Sequence, residues 1–157
     1  MTAKTAFVTG ATGFIGVNLV KQLGLAGWRV TALHRAGSNL SYLSRFPANR
    51  VIGDITDAAS LAAIMPEGVD AVFHVAGNVS FDAAGDAAQN RDNIDGTRNM
   101  VACAHRKGAR RFIPPSSGAS WGLQDNIEIN EDSPSNVDDI PINYFRTKKL
   151  AEEEALK

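Results

Sequence analysis

The chain has 157 residues, of which 44% are hydrophobic, and a formal net charge of −1. A chain of this length can form one packed core, and its near-neutral charge gives no electrostatic basis for binding nucleic acid or an anionic membrane. It has no apolar run of membrane-spanning length and no N-terminal secretory signal pattern, so we expect a cytoplasmic protein. Cys103 is the single cysteine, which excludes an internal disulfide, and the scattered histidines predict no metal site.

The stretch TAFVTGATGFIG, residues 5–16, predicts a phosphate-binding turn between a strand and a helix. The β-branched and aromatic run Thr5–Thr9 is typical of a strand, and Gly10, Gly13 and Gly16 follow at three-residue spacing. Glycines let the backbone approach a ligand closely, and a helix N-terminus offers unpaired N–H groups. Because the G-K-[ST] ending of a P-loop is missing, hydrolysis of a nucleoside triphosphate is disfavoured. A tight turn without a ligand is the simpler alternative.

The next predicted elements are a helix over Phe14–Ala26 and a strand over Trp28–Leu33. In a doubly wound parallel sheet, the end of this second strand lies beside the glycine turn, where the ribose of adenosine would bind. Arg35 stands there in place of an acidic residue, and Ser38 and Asn39 add hydroxyl and amide donors. This combination suits a 2′-phosphate, so the sequence favours NADP over NAD. A solvated surface arginine is the alternative.

Two further strands are predicted over Arg50–Ile52 and Asp70–Val75. Asp54 follows the first of them, where its carboxylate could accept a hydrogen bond from an adenine amino group. The second is almost entirely apolar, as a buried parallel strand should be, and His74 within it is expected in the core. The small residues Ala76–Gly77 would leave space for a flat cofactor against the backbone.

The C-terminal half predicts two helices on either side of a strand. The longest helix spans Asp86–Lys107, and Asn93 on it could turn toward the sheet or toward a cofactor. A strand is predicted over Arg110–Ile113, and a helix over Asn143–Lys157 with Glu152–Glu154 on its solvated side. A shorter helix is predicted earlier, over residues 58–65, and the apolar stripe of the longest helix comprises Ile94, Thr97, Val101 and Ala104.

The last helix carries a candidate proton-transfer pair. Tyr144 and Lys148 are four residues apart, so they share one helix face. An ammonium close to a phenol stabilises the phenolate, which lets a tyrosine exchange a proton with a substrate oxygen near neutral pH. Ser117 follows the predicted fifth strand and could hydrogen-bond the same oxygen. An exposed helix pair is the alternative for Tyr144 and Lys148.

In this order, the segments TGATGFIG, GDITD, VFHVAG, NIDGT, the Ser117 region and YFRTK resemble the extended short-chain dehydrogenase/reductase family. The closest likeness is to its dihydroflavonol-reductase-like branch and the related sugar epimerases. The resemblance implies a Rossmann fold, an α/β doubly wound parallel sheet with helices on both faces that binds NAD(P). It implies Ser117, Tyr144 and Lys148 as the catalytic triad. The implied cofactor-binding residues are Gly10, Thr12, Gly13, Phe14, Ile15, Gly16, Arg35, Asp54, Ile55, Val75, Ala76, Gly77, Asn93, Tyr144 and Lys148.

Family members continue beyond the Tyr144 helix through a last strand and a substrate-binding portion. We therefore expect residues 1–157 to be one NAD(P)-binding domain that is C-terminally incomplete, and to be inactive alone. Two residues depart from the family pattern: Pro114–Pro115 precede the serine pair, and Trp121 stands where relatives have tyrosine. The expected function is NADP-dependent reduction of a carbonyl substrate. Alternatives are a nucleotide-sugar epimerase or dehydratase that retains NAD(P), and a non-catalytic dinucleotide sensor. A homodimer packed through the 86–107 and Tyr144 helices is also expected.

Overall fold

The computed structural model describes residues 2–125 and 128–157, which build one parallel sheet between two layers of helices. The strands lie in the order β3-β2-β1-β4-β5, as a Rossmann sheet requires, so the predicted fold class is confirmed. Each strand lies within about two residues of its predicted position. Their bounds are β1, Thr5–Thr9; β2, Arg29–His34; β3, Asn49–Ile52; β4, Ala71–His74; and β5, Phe112–Ile113.

Four of the helices lie in connections between strands, and the last one follows β5. None of the helices within the described residues is long and apolar enough to cross a membrane. Their bounds are α1, Phe14–Leu25; α2, Ala58–Ile64; α3, Asp86–Asn90; α4, Gly96–Arg106; and α5, Asn143–Ala155.

The hydrophobic core lies on both faces of the sheet, and β1 contributes side chains to both of its layers. Ala6 and Val8 point to one face, where they pack with α1 residues such as Val20. Phe7 points to the other face and packs with α2 and α4, including Cys103. Because side chains alternate along a strand, one central strand supplies both layers. Burial raises the pKa of the Cys103 thiol, which fits a core residue without chemistry.

The predicted helix 86–107 is interrupted by a π-helical turn over Arg91–Asp95, between α3 and α4. The predicted apolar stripe was only partly correct: Thr97 and Ala104 are buried, whereas Ile94 and Val101 are half-buried. Polar Asn93 takes the buried position instead, because its amide pairs with the backbone of Asn78. Such π turns are frequent at functional sites.

The acidic run at the end of α5 is not wholly solvated, so this prediction was wrong for Glu154. Its side chain is buried against α4, where Arg98 donates to both carboxylate oxygens at 3.2 and 3.0 Å. Hydrogen bonds from Arg98 and Lys157 hold the pKa of the Glu154 carboxyl below its usual range. The ion pair fixes α5 on α4, and thereby the helix that carries Tyr144 and Lys148.

Candidate functional site

A cleft of about 740 Å³ opens between the neighbouring strands β1 and β4, where the strand order of the sheet reverses. Ligands of open α/β sheets bind at this switch point, beyond the carboxyl ends of the strands. The cleft is lined by most residues predicted to hold a cofactor. These are Gly10, Thr12, Gly13, Phe14, Ile15, Gly16, Arg35, Asp54, Ile55, Val75, Ala76 and Gly77.

The glycines of the first turn have different physical roles. A Cβ on Gly10 would lie 2.6 Å from the amide nitrogen of Ala76, and one on Gly16 would overlap the Gly10 carbonyl. Both positions therefore need glycine so that β1, β4 and α1 can approach each other. A Cβ on Gly13 would meet only the Gly10 carbonyl oxygen, at 3.4 Å. Packing does not require glycine at Gly13, where a side chain would instead narrow the cleft.

The start of α1 presents hydrogen-bond donors to the cleft. Gly13 is the N-cap residue and provides no side-chain cap. The backbone N–H groups of Phe14, Ile15 and Gly16 have no protein acceptor among the described residues. Unpaired donors at the positive end of a helix dipole suit a phosphate group. This turn therefore fits the pyrophosphate of a dinucleotide.

The adenosine end of the cleft contains charges of both signs. Arg35 is exposed and lines the cleft together with Ser38. Asn39 is not among the residues that line the cleft, and its amide oxygen accepts hydrogen bonds from Ser41. Asp54 accepts two hydrogen bonds from Thr56 through Oδ1. These hydrogen bonds, helped by nearby Arg35, hold the pKa of the Asp54 carboxyl below its usual range.

A smaller cavity of about 210 Å³ shares Ala76 with the cleft and is lined by Asn93 and Lys148. Lys148 Nζ donates to the carbonyl of Pro115 at 3.1 Å, and burial lowers the pKa of its ammonium. Ser116 lines the same cavity and donates to Glu152 at 2.9 Å. Asn93 and Lys148, both predicted to bind the cofactor, therefore line this neighbouring cavity and not the cleft.

Ser117 and Tyr144 lie on elements that pack against each other. Ser117 caps a 3₁₀ turn over Gly118–Trp121, which contacts α5. Its Oγ accepts from the amide of Ala119 at 3.2 Å, leaving the hydroxyl hydrogen free to donate. The ring of Tyr144 packs edge-on against Phe81, with centroids 5.5 Å apart. Neither residue lines the 740 Å³ cleft.

His74 links the floor of the cleft to the π turn through buried hydrogen bonds. The Thr97 hydroxyl donates to the carbonyl of Asn93 at 2.6 Å, so it must accept from Nε2 of His74. Nδ1 then accepts from the Thr9 hydroxyl, which itself accepts from the amide of Ala76. The histidine is therefore the neutral Nε2–H tautomer. Burial, with a smaller effect of Lys148, lowers its pKa to about 4, and its predicted core position is confirmed.

The segment after β4, residues 78–82, is called the β4 loop below and is held by buried amides. Asn93 accepts from the amide of Asn78 at 2.7 Å and donates to its carbonyl at 2.9 Å. Gln89 donates to the carbonyl of Ser80 at 2.6 Å. Both amide side chains are buried, so the loop backbone is fixed from beneath.

The same Asn93 amide reaches α5, the helix that carries Tyr144 and Lys148. Its Nδ2 also donates to the Thr147 hydroxyl at 3.0 Å, and that hydroxyl donates to the carbonyl of Tyr144. Asn143 reaches back to Gln89, at 2.9 Å. The β4 loop and the start of α5 are therefore positioned by one hydrogen-bonded network.

A parallel sheet with a glycine-lined cleft at its switch point, and free amides at a helix start, defines a dinucleotide-binding protein. The profile of the NAD dependent epimerase/dehydratase family matches residues 6–157, and the chain belongs to that family. The predicted family relationship is thereby confirmed.

Individual relatives agree with this assignment. A Synechocystis sp. protein provisionally named dihydroflavonol 4-reductase is 40% identical, over 96% of this chain and 43% of its own length. Sterol demethylase protein B of Methylococcus capsulatus is 34% identical, over 97% of this chain and 46% of its own length. A similar solved structure is that of DesIV, a dTDP-glucose 4,6-dehydratase from Streptomyces venezuelae with NAD and TYD bound. It matches with a TM-score of 0.85 at 28% identity, over 96% of this chain and 50% of the DesIV chain. The chain spans about half the length of the curated relatives it matches.

Two parts of the site escaped prediction from the sequence. The β4 loop adds Asn78, Val79 and Ser80 to the cleft lining. Its alternation of polar and apolar residues was the available signal, but the segment follows Gly77 and ends at Asp82, so it resembled an ordinary loop. Gln89 also escaped notice, because a glutamine on a helix is usually solvated.

Proposed function

We propose that the protein reduces a carbonyl substrate with NADPH, using Ser117, Tyr144 and Lys148. The observation that carries this proposal is the position of the Tyr144 ring against Phe81, in the loop that forms one wall of the cleft. This contact brings the Tyr144 ring beside the loop whose residues Asn78, Val79 and Ser80 line the cleft, which supports the proposal. The relative named dihydroflavonol 4-reductase supports the same reaction class.

In the proposed reaction, a bound NADPH supplies the hydride. The turn at Gly13 and the free amides of α1 would hold the pyrophosphate, and Ala76 would lie beside the cofactor. Tyr144 donates its phenolic proton to the carbonyl oxygen, and Ser117 orients that oxygen through its free hydroxyl hydrogen. Lys148, fixed by the Pro115 carbonyl, stabilises the phenolate that remains.

Removing the phenolic hydroxyl of the full-length protein tests this assignment. We expect Tyr144→Phe to lower kcat for NADPH-dependent carbonyl reduction by about a hundredfold or more, because the general acid is lost. The dissociation constant of NADPH should change far less than kcat, because the turn at Gly10–Gly16 remains to bind the pyrophosphate. The matched control is Phe145→Leu, the adjacent aromatic residue on α5, which should keep most activity. Undiminished turnover by Tyr144→Phe would refute the catalytic assignment and favour the non-catalytic sensor.

The preference for NADP rests on Arg35 and Ser38 at the end of β2. Fluorescence titration of the full-length protein should give a lower dissociation constant for NADPH than for NADH. Arg35→Ala should weaken NADPH binding about tenfold, since one charge-assisted contact to the 2′-phosphate is lost, and leave NADH binding nearly unchanged. Arg45→Ala, which changes another exposed arginine, should affect neither. Equal affinity of the unmodified protein for both cofactors would reject the preference.

The second candidate is a nucleotide-sugar epimerase or dehydratase that retains its cofactor. The similarity to DesIV, whose structure contains NAD and TYD, favours it. An epimerase should purify with a tightly bound dinucleotide, whereas a reductase should exchange the cofactor with solution. The test is to denature the purified protein, remove it, and measure the ultraviolet absorbance of nucleotide in the supernatant. Released dinucleotide indicates the epimerase, and its absence indicates the reductase.

We also propose that residues 1–157 are the cofactor-binding part of a longer protein that acts as a homodimer through α4 and α5. Light scattering of the full-length protein should then give twice the mass of one chain. Substitution of Val101, half-buried on α4, by Arg should reduce that mass to one chain.

A further inference from the structure

The β4 loop holds two apolar side chains in solvent in spite of its rigid backbone. Val79 and Phe81 are 66% and 69% exposed. They alternate with Asn78 and Ser80, whose backbone groups pair with the buried amides of Asn93 and Gln89. In an extended segment, alternate side chains lie on one side. The buried amides hold the loop backbone at Asn78 and Ser80, and the side chains of Val79 and Phe81 face solvent.

This outward side joins the cofactor cleft to the proposed general acid. Val79 lines the cleft, and two residues later the Phe81 ring packs edge-on against Tyr144, at 5.5 Å between centroids. Phe81 thus lies beside the Tyr144 ring, next to the loop residues that line the cleft. We infer that Val79 and Phe81 form the substrate-selecting wall of the site, and that this wall binds an apolar, ring-bearing carbonyl compound. The inference rests on the proposed function.

The charges of the wall support this choice over a nucleotide sugar. Residues 78–82 contain no basic side chain, and Asp82 adds an exposed carboxylate. A diphosphate laid along this wall would meet the like charge of Asp82 and no basic side chain among residues 78–82. A flat ring would instead gain an aromatic contact with Phe81 and bury the isopropyl group of Val79.

Equilibrium dialysis of 2-naphthol against the full-length protein saturated with NADPH tests the wall without requiring turnover. We expect Phe81→Ala to weaken 2-naphthol binding about tenfold, the order of one aromatic pair with its buried area. Phe81→Leu, which keeps apolar area but removes the ring, should have an intermediate affinity. The control is Leu25→Ala, which removes an equally exposed apolar side chain at the far end of α1. Affinity for NADPH should be the same in all variants.

Unchanged 2-naphthol binding in Phe81→Ala would overturn the inference. So would undetectable binding of 2-naphthol, or tighter binding of UDP-glucose than of 2-naphthol, by the unmodified protein. These outcomes are separate from a failure of the proposed reaction, because binding to the wall does not depend on proton transfer by Tyr144. If Tyr144→Phe loses turnover while Phe81→Ala binds 2-naphthol as well as the unmodified protein does, the proposed reaction is supported. Only the inference about the substrate-selecting wall is then rejected.

Discussion

The two sides of the cleft are built by different means. On the β1 side, the turn at Gly10–Gly16 has its shape because backbone atoms touch where side chains would not fit. On the β4 side, the loop at residues 78–82 has its shape because buried amides from α3 and the π turn hold its backbone. The first side needs an absence of side chains, and the second needs particular side chains. Substitutions should therefore damage the two sides differently.

The largest effect is expected on the β1 side. Gly16→Ala should destabilise the full-length protein by about 3 kcal/mol or more, because the new Cβ overlaps the Gly10 carbonyl and neither backbone can yield. Chemical denaturation measures this change. Gly13→Ala should leave stability nearly unchanged and weaken dinucleotide binding instead.

The matched control for Gly16 lies in the same helix. A Cβ on Gly24 would meet only Pro47, at 3.8 Å. Gly24→Ala should therefore stabilise the protein by about 0.5–1 kcal/mol, since alanine restricts the unfolded chain. Equal stability of the Gly16 and Gly24 variants would show that the backbone contact does not determine the β1 side.

The next effect concerns His74, which joins the two sides. Its pKa is lowered from 6.5 to about 4 in the folded protein, so the unfolded chain binds more protons between these values. Folding stability should therefore fall as the pH falls below 6.5, by a total of about 3 kcal/mol near pH 4. His74→Gln keeps a neutral amide there and should remove this part of the pH dependence. If the free energies of unfolding of the unmodified protein and of His74→Gln depend on pH in the same way between pH 4 and 8, the buried neutral tautomer is contradicted.

A smaller effect is expected at the anchor of the β4 loop. Asn93→Ala should destabilise the protein by about 2 kcal/mol, because the backbone groups of Asn78 lose their partner. Hydrogen exchange should show faster exchange at the Asn78 amide and unchanged protection in β1. Among the described residues, the Asn99 side chain on α4 makes one hydrogen bond, to the Ile55 carbonyl. Asn99→Ala should therefore have a weaker effect and leave the β4 loop protected. Unaltered exchange at Asn78 in the Asn93 variant would contradict the anchoring.

The sequence by itself determined the β1 side of the site and the order of the elements. Strand Thr5–Thr9, the glycine turn and helix α1 follow one another within a short stretch, and their interactions are local, so composition and spacing predict them. The buried run before Ala76 was equally clear, because an apolar strand is readable without knowing its partners.

Only the tertiary structure decided the β4 side. Asn78 meets Asn93 across 15 positions, Thr9 meets His74 across 65, and Arg98 meets Glu154 across 56. Whether a polar side chain is solvated or buried depends on such distant partners, which no local pattern shows. For that reason the sequence placed Ile94 inside and Glu154 outside, whereas the fold buries Asn93 and Glu154, where each has its hydrogen-bond partners.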